Sequence, residues 1–331
     1  MNSLKWGVLS TAKIGRTQVI PAIQRSSNGE VIAIASRQKE RVEEVAKELS
    51  IPKAYDTYEA LLDDQEIDAV YIPLPNALHK EWVIKAAEKN KHVLCEKPVG
   101  IEKEELDEMV QACEDNGVKF MEAFMYQFHP QHQKVKGLIQ EDVIGDVAFM
   151  RASFAFLLED RSNIRLSSQL GGGAMYDVGC YTLHSIRYIL GEEPVTAYAN
   201  AHYHDELDVD TKMSGILSFA DGKQAAFDCS FDTIPRQEYE VIGSKGSIKV
   251  KSAYRPDTNE NMAGEIHVTN ADGEITVYAE SGDQYALMAE EFASAILEDR
   301  PLKYTFDQMA GQMKVLDAVY TSSKKGEVVK L

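Results

Sequence analysis

Cysteine is scarce in this chain: Cys95, Cys113, Cys180 and Cys229 are the only four in 331 residues, and none stands in a C-x-x-C spacing. That spacing excludes the common zinc knuckles and thioredoxin-type redox pairs, so no metal is expected. Cys113 shares a helical stripe with Leu106, Met109 and Val110, and buried free thiols in a reducing cytoplasm are the expected state. Positive charge is short as well. Lys and Arg total 35 against 53 Asp and Glu, a formal net charge of -18. A surface of that sign repels phosphate polymers and anionic bilayers, which argues against nucleic acid and membrane as partners. No apolar run approaches the ~20 residues of a membrane helix, and the N-terminus opens a strand rather than a signal peptide. Repeats, low-complexity segments and long linkers are missing too.

What is present suits a folded chain of two parts. Hydrophobic content is 44% with 27% charged residues, far from a disordered composition. At 331 residues the chain is longer than one core supports, so two domains are expected, 1–123 and 124–331. In the first, apolar strands at 4–9, 30–36, 69–72, 92–95 and 119–121 alternate with amphipathic helices. Leu78, Trp82 and Ala86 mark one helix by fourfold spacing, and Asn116-Gly117 stops another. Near-continuous apolar strands between helices mean a parallel sheet covered on both faces, and right-handed crossovers make it a doubly wound, Rossmann-type domain. Beyond about residue 125 the texture changes. A helix at 130–140 precedes runs that alternate apolar and polar residues: 247–251, 265–268 and, after the turn Asp272-Gly273, 274–277. Strict alternation gives one wet and one buried face, hence an antiparallel sheet that packs helices on one side. Helices at 284–297 and 307–323 close the chain.

The first strand exits into Ser10-Thr11-Ala12-Lys13-Ile14-Gly15. Laid over G-x-G-x-x-G, only the third glycine survives. Serine and alanine are still small enough for backbone amides to approach a pyrophosphate at a helix N-terminus, so these six residues are expected to hold a dinucleotide. The second strand ends at Ser36-Arg37, with Arg41 one helical turn on, and no acidic residue stands where an NAD site offers one to the ribose. Ser36 can bond a 2′-phosphate while Arg37 and Arg41 neutralise it. NADP is therefore the expected cofactor, with NAD as the alternative. Solvated surface charges are the other reading of the two arginines.

Two further segments carry chemistry. Leu94-Cys95-Glu96-Lys97-Pro98 plants a carboxylate and an ammonium at the carboxyl end of a strand, where open α/β sheets bind ligands. Glycines 171–173 form a hinge into a helix bearing Asp177, Tyr181 and His184. Hydride transfer to a ketone leaves an oxyanion that needs a proton. Tyrosine, with an ordinary pKa near ~10, is too weak a base at neutral pH unless an ammonium stabilises its phenolate. Lys97 supplies that ammonium and Tyr181 the proton, unless Lys97 delivers the proton itself. Asp177, one turn before Tyr181, orients Lys97, bonds a substrate hydroxyl or caps the helix. His184 either touches substrate or stands behind it. Arg165 meets cofactor, substrate or solvent. Among Phe124, Tyr126, Phe154 and Phe156, only Tyr126 is assigned to the substrate, because core packing is the commoner fate of aromatics.

In order and spacing, these segments resemble the family named for glucose–fructose oxidoreductase and inositol dehydrogenase. The resemblance spans essentially the whole chain. It rests on Trp6-Gly7 through Ile14-Gly15, Pro75-Asn76-Ala77-Leu78-His79, Glu96-Lys97-Pro98, Glu122-Ala123-Phe124-Met125, His129-Pro130, the glycine hinge with Tyr181, and Gly243-Ser244-Lys245-Gly246-Ser247. It implies a Rossmann domain followed by an α/β domain with an open, mainly antiparallel sheet. It also implies NAD(P)-linked redox chemistry at a carbinol or carbonyl carbon of a sugar, polyol or related diol, in a homodimer or larger assembly. Pro75, Asn76, His79 and Glu96 are then expected to face the cofactor. Tyr181 replaces the histidine of the inositol dehydrogenase branch and is similar to dihydrodiol dehydrogenase and anhydrofructose reductase. Gln127 stands where that branch commonly has arginine. The family also contains silent cofactor-binding regulators and NAD-dependent glycosidases. Retention of both Lys97 and Tyr181 speaks against the first, and the Ser36-Arg37 ending against the second.

Overall fold

The computed structural model describes residues 3–331. Among them the chain forms two compact units, one running to Met125 and resuming at Tyr285–Ala310, the other comprising Tyr126–Gln284 and Gly311–Leu331. In the first unit lie β1 (Leu4–Leu9), β2 (Gly29–Ala35), β3 (Lys53–Tyr55), β4 (Ala69–Ile72), β5 (His92–Cys95) and β6 (Phe120–Glu122). They pair in parallel in the order β3-β2-β1-β4-β5-β6, the order of a doubly wound dinucleotide sheet. The expected parallel sheet is therefore present. Strands β1, β4 and β5 are buried almost throughout, because helices cover both faces.

The return of residues 285–310 to the first unit corrects the expected two-piece division. Helix Gln284–Leu297 seats Phe292 against Trp6 of β1, ring centroids 5.3 Å apart, with both side chains fully buried. Glu290 accepts from the Ser27 amide at 2.9 Å, and Tyr304 stands edge-on to Phe124. An amphipathic helix carries the same pattern whichever core it covers, so sequence spacing alone leaves this one with its neighbours.

In the second unit the strands are β7 (Val147–Leu157), β8 (Thr196–Tyr203), β9 (Asp210–Ser218), β10 (Gln224–Ser230), β11 (Asp232–Gly243), β12 (Gly246–Val250), β13 (Ala263–Asn270), β14 (Ile275–Ser281) and β15 (Val329–Lys330). Their order is β14-β13-β12-β11-β7-β10-β9-β8-β15. The described pairings are antiparallel except that of β7 with β10, which makes the sheet mixed but mainly antiparallel, as expected. The helix Cys180–Leu190 packs on β7 and β10 and is buried along nearly its whole length. Among the described residues, no helix is long and apolar enough to cross a membrane.

Candidate functional site

The candidate residues fall into two sets, one in each unit. In the first unit they gather at the carboxyl ends of the parallel strands. Ser10, directly after β1, holds φ at 134°, a backbone region that favours glycine. The first position of the glycine pattern thus keeps its glycine-like geometry while carrying a hydroxyl, and Ser10 Oγ accepts from the Ala12 amide at 3.0 Å. The chain then winds into a π-turn, Gly15–Val19, and continues as the helix Ile20–Arg25. A Cβ on Gly15 would meet Pro73 at 3.5 Å and Tyr71 at 3.6 Å, ordinary van der Waals contact, so the packing here has room for a methyl group.

At the end of β2, Ser36 is buried and its Oγ accepts from the Gln38 amide at 3.4 Å, while Arg37 is exposed. Arg41 is ion-paired with Glu44. Tyr58, which sequence reasoning missed, links these loops. Burial raises its phenol, against the charge of Arg37 and hydrogen bonds with Arg37 and Ser10 that lower it. Pro75 and Asn76 are half-buried at the 3₁₀ turn Asn76–Leu78. His79, expected to face a cofactor, is fully buried. Its Nδ1 lies 2.9 Å from the Pro98 carbonyl and its Nε2 2.9 Å from that of Leu74, so it ties two backbone segments together. Burial holds it below the ordinary histidine range.

Glu96 and Lys97, after β5, are half-buried. Tyr71 donates to Glu96 Oε1 at 2.5 Å, and the Lys97 amide to Oε2 at 3.3 Å, which fixes the carboxylate in place. Burial first, and the charge of Glu96 second, push the Tyr71 phenol well up. The polar groups on these strand ends suit a dinucleotide carrying a 2′-phosphate: helix-start amides, the Ser36 hydroxyl, the Arg37 guanidinium and the Asn76 amide as donors, and the Glu96 carboxylate as an acceptor.

The second set is built on the glycine hinge. Gly172 stands where a Cβ would come 2.5 Å from the Arg165 carbonyl, and Gly173 donates its amide to that oxygen at 2.9 Å. The hinge thereby folds Arg165 back onto the helix it precedes. Arg165 Nε donates to Asp177 Oδ2 at 2.6 Å, and the Asp177 charge raises the guanidinium, with Tyr181 contributing less. Arg165, Asp177 and Tyr181 are thus brought together. Capping this helix is left to another carboxylate. Asp210 of β9, buried, accepts from the Met175 amide at 2.7 Å and from the Tyr320 hydroxyl at 2.8 Å.

Tyr126 and His184, expected to touch substrate, are both buried, and the Tyr126 hydroxyl lies 2.6 Å from His184 Nδ1. Burial drives the His184 imidazole well below its ordinary range. Tyr126 forms part of an aromatic wall beside Tyr181, the two rings 5.7 Å apart. Phe154 and Tyr254 complete this wall, stacked at 5.0 Å and each within 5.5 Å of the Tyr181 ring. Tyr254 carried no sequence signal, because the partners of its ring and hydroxyl are 69 or more residues away in the chain. No group of three or more potential metal ligands occurs among the described residues.

Residues 4–124 match the oxidoreductase family described as an NAD-binding Rossmann fold, and residues 132–249 match the GFO/IDH/MocA C-terminal domain. A D-xylose 1-dehydrogenase (NADP(+)) from Haloferax volcanii is 39% identical over 99% of this chain and 100% of its own length. A trans-1,2-dihydrobenzene-1,2-diol dehydrogenase from Xenopus tropicalis is 33% identical over 75% of each chain. Among solved structures, a 3-ketoreductase from Actinomadura kijaniata, in complex with NADP and TDP-benzene, superposes with a TM-score of 0.92 at 29% identity, covering 97% of this chain and 98% of that one. With these matches spanning both units, the chain belongs to the glucose–fructose oxidoreductase and inositol dehydrogenase (Gfo/Idh/MocA) family of oxidoreductases.

Proposed function

We propose that this chain is an NADP(H)-dependent oxidoreductase that moves a hydride to or from the carbinol carbon of a sugar, polyol or related diol. The observation that carries this reading is the pairing of chemistries on the two units. The first presents Ser36, Arg37 and Lys97 at strand ends. The second presents Tyr181 beside an Arg165–Asp177 ion pair. NADP, when bound, supplies or accepts the hydride. Arg37 and the Ser36 hydroxyl hold the 2′-phosphate, the amides of 12–15 the pyrophosphate, and Glu96 the ribose or carboxamide end. Arg41 joins them by exchanging its Glu44 partner. Lys97 and Tyr181 act as one unit, the ammonium stabilising phenolate and the phenol passing a proton to or from the substrate oxygen. Asp177, braced by Arg165, accepts from a substrate hydroxyl.

The relatives guide the choice of substrates to try. D-xylose and other aldoses come first, then dihydrodiols and keto-sugars. The test follows NADPH absorbance with each substrate and measures dissociation constants for NADPH and NADH. Tighter NADH, or equal affinity, sinks the cofactor assignment. NADPH binding without turnover on any substrate points to a regulator. Tyr181→Phe should lower turnover by about 10²–10⁴-fold. Lys97→Met should cost at least as much, and the double variant should be little worse than either single. Near-full activity in Tyr181→Phe alone would make Lys97 the direct proton donor.

The same reading puts the protein in a reducing cytoplasm, with its four cysteines free and buried, and in a homodimer or larger assembly. A second copy would cover the wet face of the nine-stranded sheet, where Tyr198 and Ile216 lie exposed among the pairs Arg151–Glu240 and Arg236–Asp228. A monomer in sedimentation equilibrium at high concentration overturns that assembly.

A further inference from the structure

Glu122 is 0% exposed, and ionisable groups are buried at such depth only when the surrounding structure supplies donors to them. Its contacts include two donors. The Val99 amide donates to Oε1 at 2.9 Å, and the Tyr304 hydroxyl donates to Oε2 at 2.9 Å. The register explains the first contact. Glu122 of β6 lies beside Cys95 of β5, so its carboxylate sits next to the turn Glu96-Lys97-Pro98-Val99 that leaves β5.

The geometry of that turn gives the contact a purpose. Proline has no N–H, so the peptide between Lys97 and Pro98 has no donor with which to be held. The next peptide plane is held at both ends. Its carbonyl, from Pro98, lies 2.9 Å from His79 Nδ1, and its N–H, from Val99, is bonded by Glu122. A plane clamped at opposite edges cannot rotate, and the proline ring joined to it carries that constraint back to the Lys97 backbone. Burial alone would be served by leucine; donors converging from different segments need the acceptor lone pairs that leucine lacks.

We propose that Glu122 is a positioning residue for Lys97, with Tyr304 holding Glu122 in the orientation that clamps the turn. This rests on the reading of Lys97 as part of the proton-transfer unit. It also assigns a task to the segment Tyr285–Ala310, which carries Tyr304 into the first unit.

The experiment compares Tyr304→Phe, Glu122→Gln and Glu122→Leu with the wild type and Lys97→Met. It reads kcat, KM for the sugar, the dissociation constant for NADPH, and hydrogen exchange at the Val99 amide. Wild-type turnover that collapses in Lys97→Met establishes the underlying reading; without that collapse, the reading of Lys97 fails first and on its own. Given it, Tyr304→Phe should lower kcat about tenfold and Glu122→Leu about 100-fold, with NADPH affinity within threefold of the wild type, because small misplacements of a reacting group cost rate rather than binding. Glu122→Gln keeps an acceptor for Val99 and should recover most of the loss. Exchange at Val99 should quicken in Tyr304→Phe and Glu122→Leu. If Tyr304→Phe and Glu122→Leu lose thermal stability but keep kcat within twofold, Glu122 is structural only and the proposal is overturned. Should Glu122→Leu fail to fold, Tyr304→Phe decides the matter by the same twofold limit.

Discussion

The helix that follows β1 and the helix that follows the glycine hinge both open on a π-turn, Gly15–Val19 in one and Met175–Gly179 in the other. A helix start carries partial positive charge on its unpaired amides and favours an anion there. At the second helix the protein provides that anion itself. The Asp210 carboxylate bonds the Met175 amide and is steadied by Tyr320 from the far side. At the first helix no side-chain cap is found among the described residues, no acidic residue lies in the first turn, and Ser10 contributes only a hydroxyl to the Ala12 amide. One local device is thus spent on rigidity beneath Asp177 and Tyr181. Under the proposed function the other is kept for a phosphate from outside. Small residues before a helix do not distinguish the two uses; what distinguishes them is whether a distant carboxylate arrives.

Removing that carboxylate should have the largest effect. Asp210→Ala leaves the Met175 amide and the Tyr320 hydroxyl without their acceptor, and each buried orphan costs about 1–3 kcal/mol, for a loss of about 2–6 kcal/mol in urea unfolding. A loss below about 1 kcal/mol would show that the second helix start needs no internal anion. Gly173→Ala tests the same contact from the backbone. At φ of 129° and with a Cβ 2.3 Å from Asp210 Oδ1, the substitution should cost about 2–3 kcal/mol.

Acid should find the second unit next. Burial depresses His132 to about 3, its Nδ1 lying 2.9 Å from the Tyr239 hydroxyl and its Nε2 3.0 Å from the Ala253 carbonyl. A histidine depressed in the fold stabilises it above the unfolded value of 6.5, and that contribution is lost as pH falls from 6.5 toward 3. His132 alone should remove about 1.4 kcal/mol per pH unit in that window. Asp210 works in the opposite sense. Burial raises its carboxyl, so the folded chain takes up its proton more readily than the unfolded one, and it does not drive acid unfolding. Unfolding free energy that stays flat between pH 6.5 and 4, measured against about the same urea series, would contradict the histidine account.

The smallest effect belongs to the first helix. At Gly15 a Cβ meets Pro73 and Tyr71 at ordinary contact distance. Gly15→Ala should therefore change stability by no more than about 1 kcal/mol, in the stabilising direction, since alanine is the better helix former. A destabilisation comparable to Gly173→Ala would mean that the two helix starts are packed alike.

Much of this architecture is legible in the chain. The strands at 4–9, 69–72 and 92–95 agree with β1, β4 and β5 because strands buried on both faces read as unbroken apolar runs between turn residues. The helices at 130–140 and 284–297 agree as well, the former starting at a proline. The short strand Lys53–Tyr55 was not legible, being partly exposed and polar at its first residue. Within the site, Glu96, Lys97, Asp177 and Tyr181 stand out because charged and phenolic groups follow directly on an apolar strand or a glycine cluster. Glu122, Asp210, Tyr71 and Tyr254 do not. Their roles come from partners 23 to 182 residues away, and no local pattern encodes a contact of that range.

The return of Tyr285–Ala310 to the first unit has a consequence for the order in which the chain can mature. A ribosome releases all six parallel strands by Glu122, yet Trp6 lacks its Phe292 cover and Glu122 its Tyr304 donor until residue 304 has emerged. At roughly 5–20 residues per second, the stretch 126–310 takes on the order of 10–40 s to synthesise. During that interval the nascent dinucleotide unit carries an open apolar flank and a carboxylate awaiting its partner, which makes it a natural client for chaperones that shield exposed hydrophobic surface.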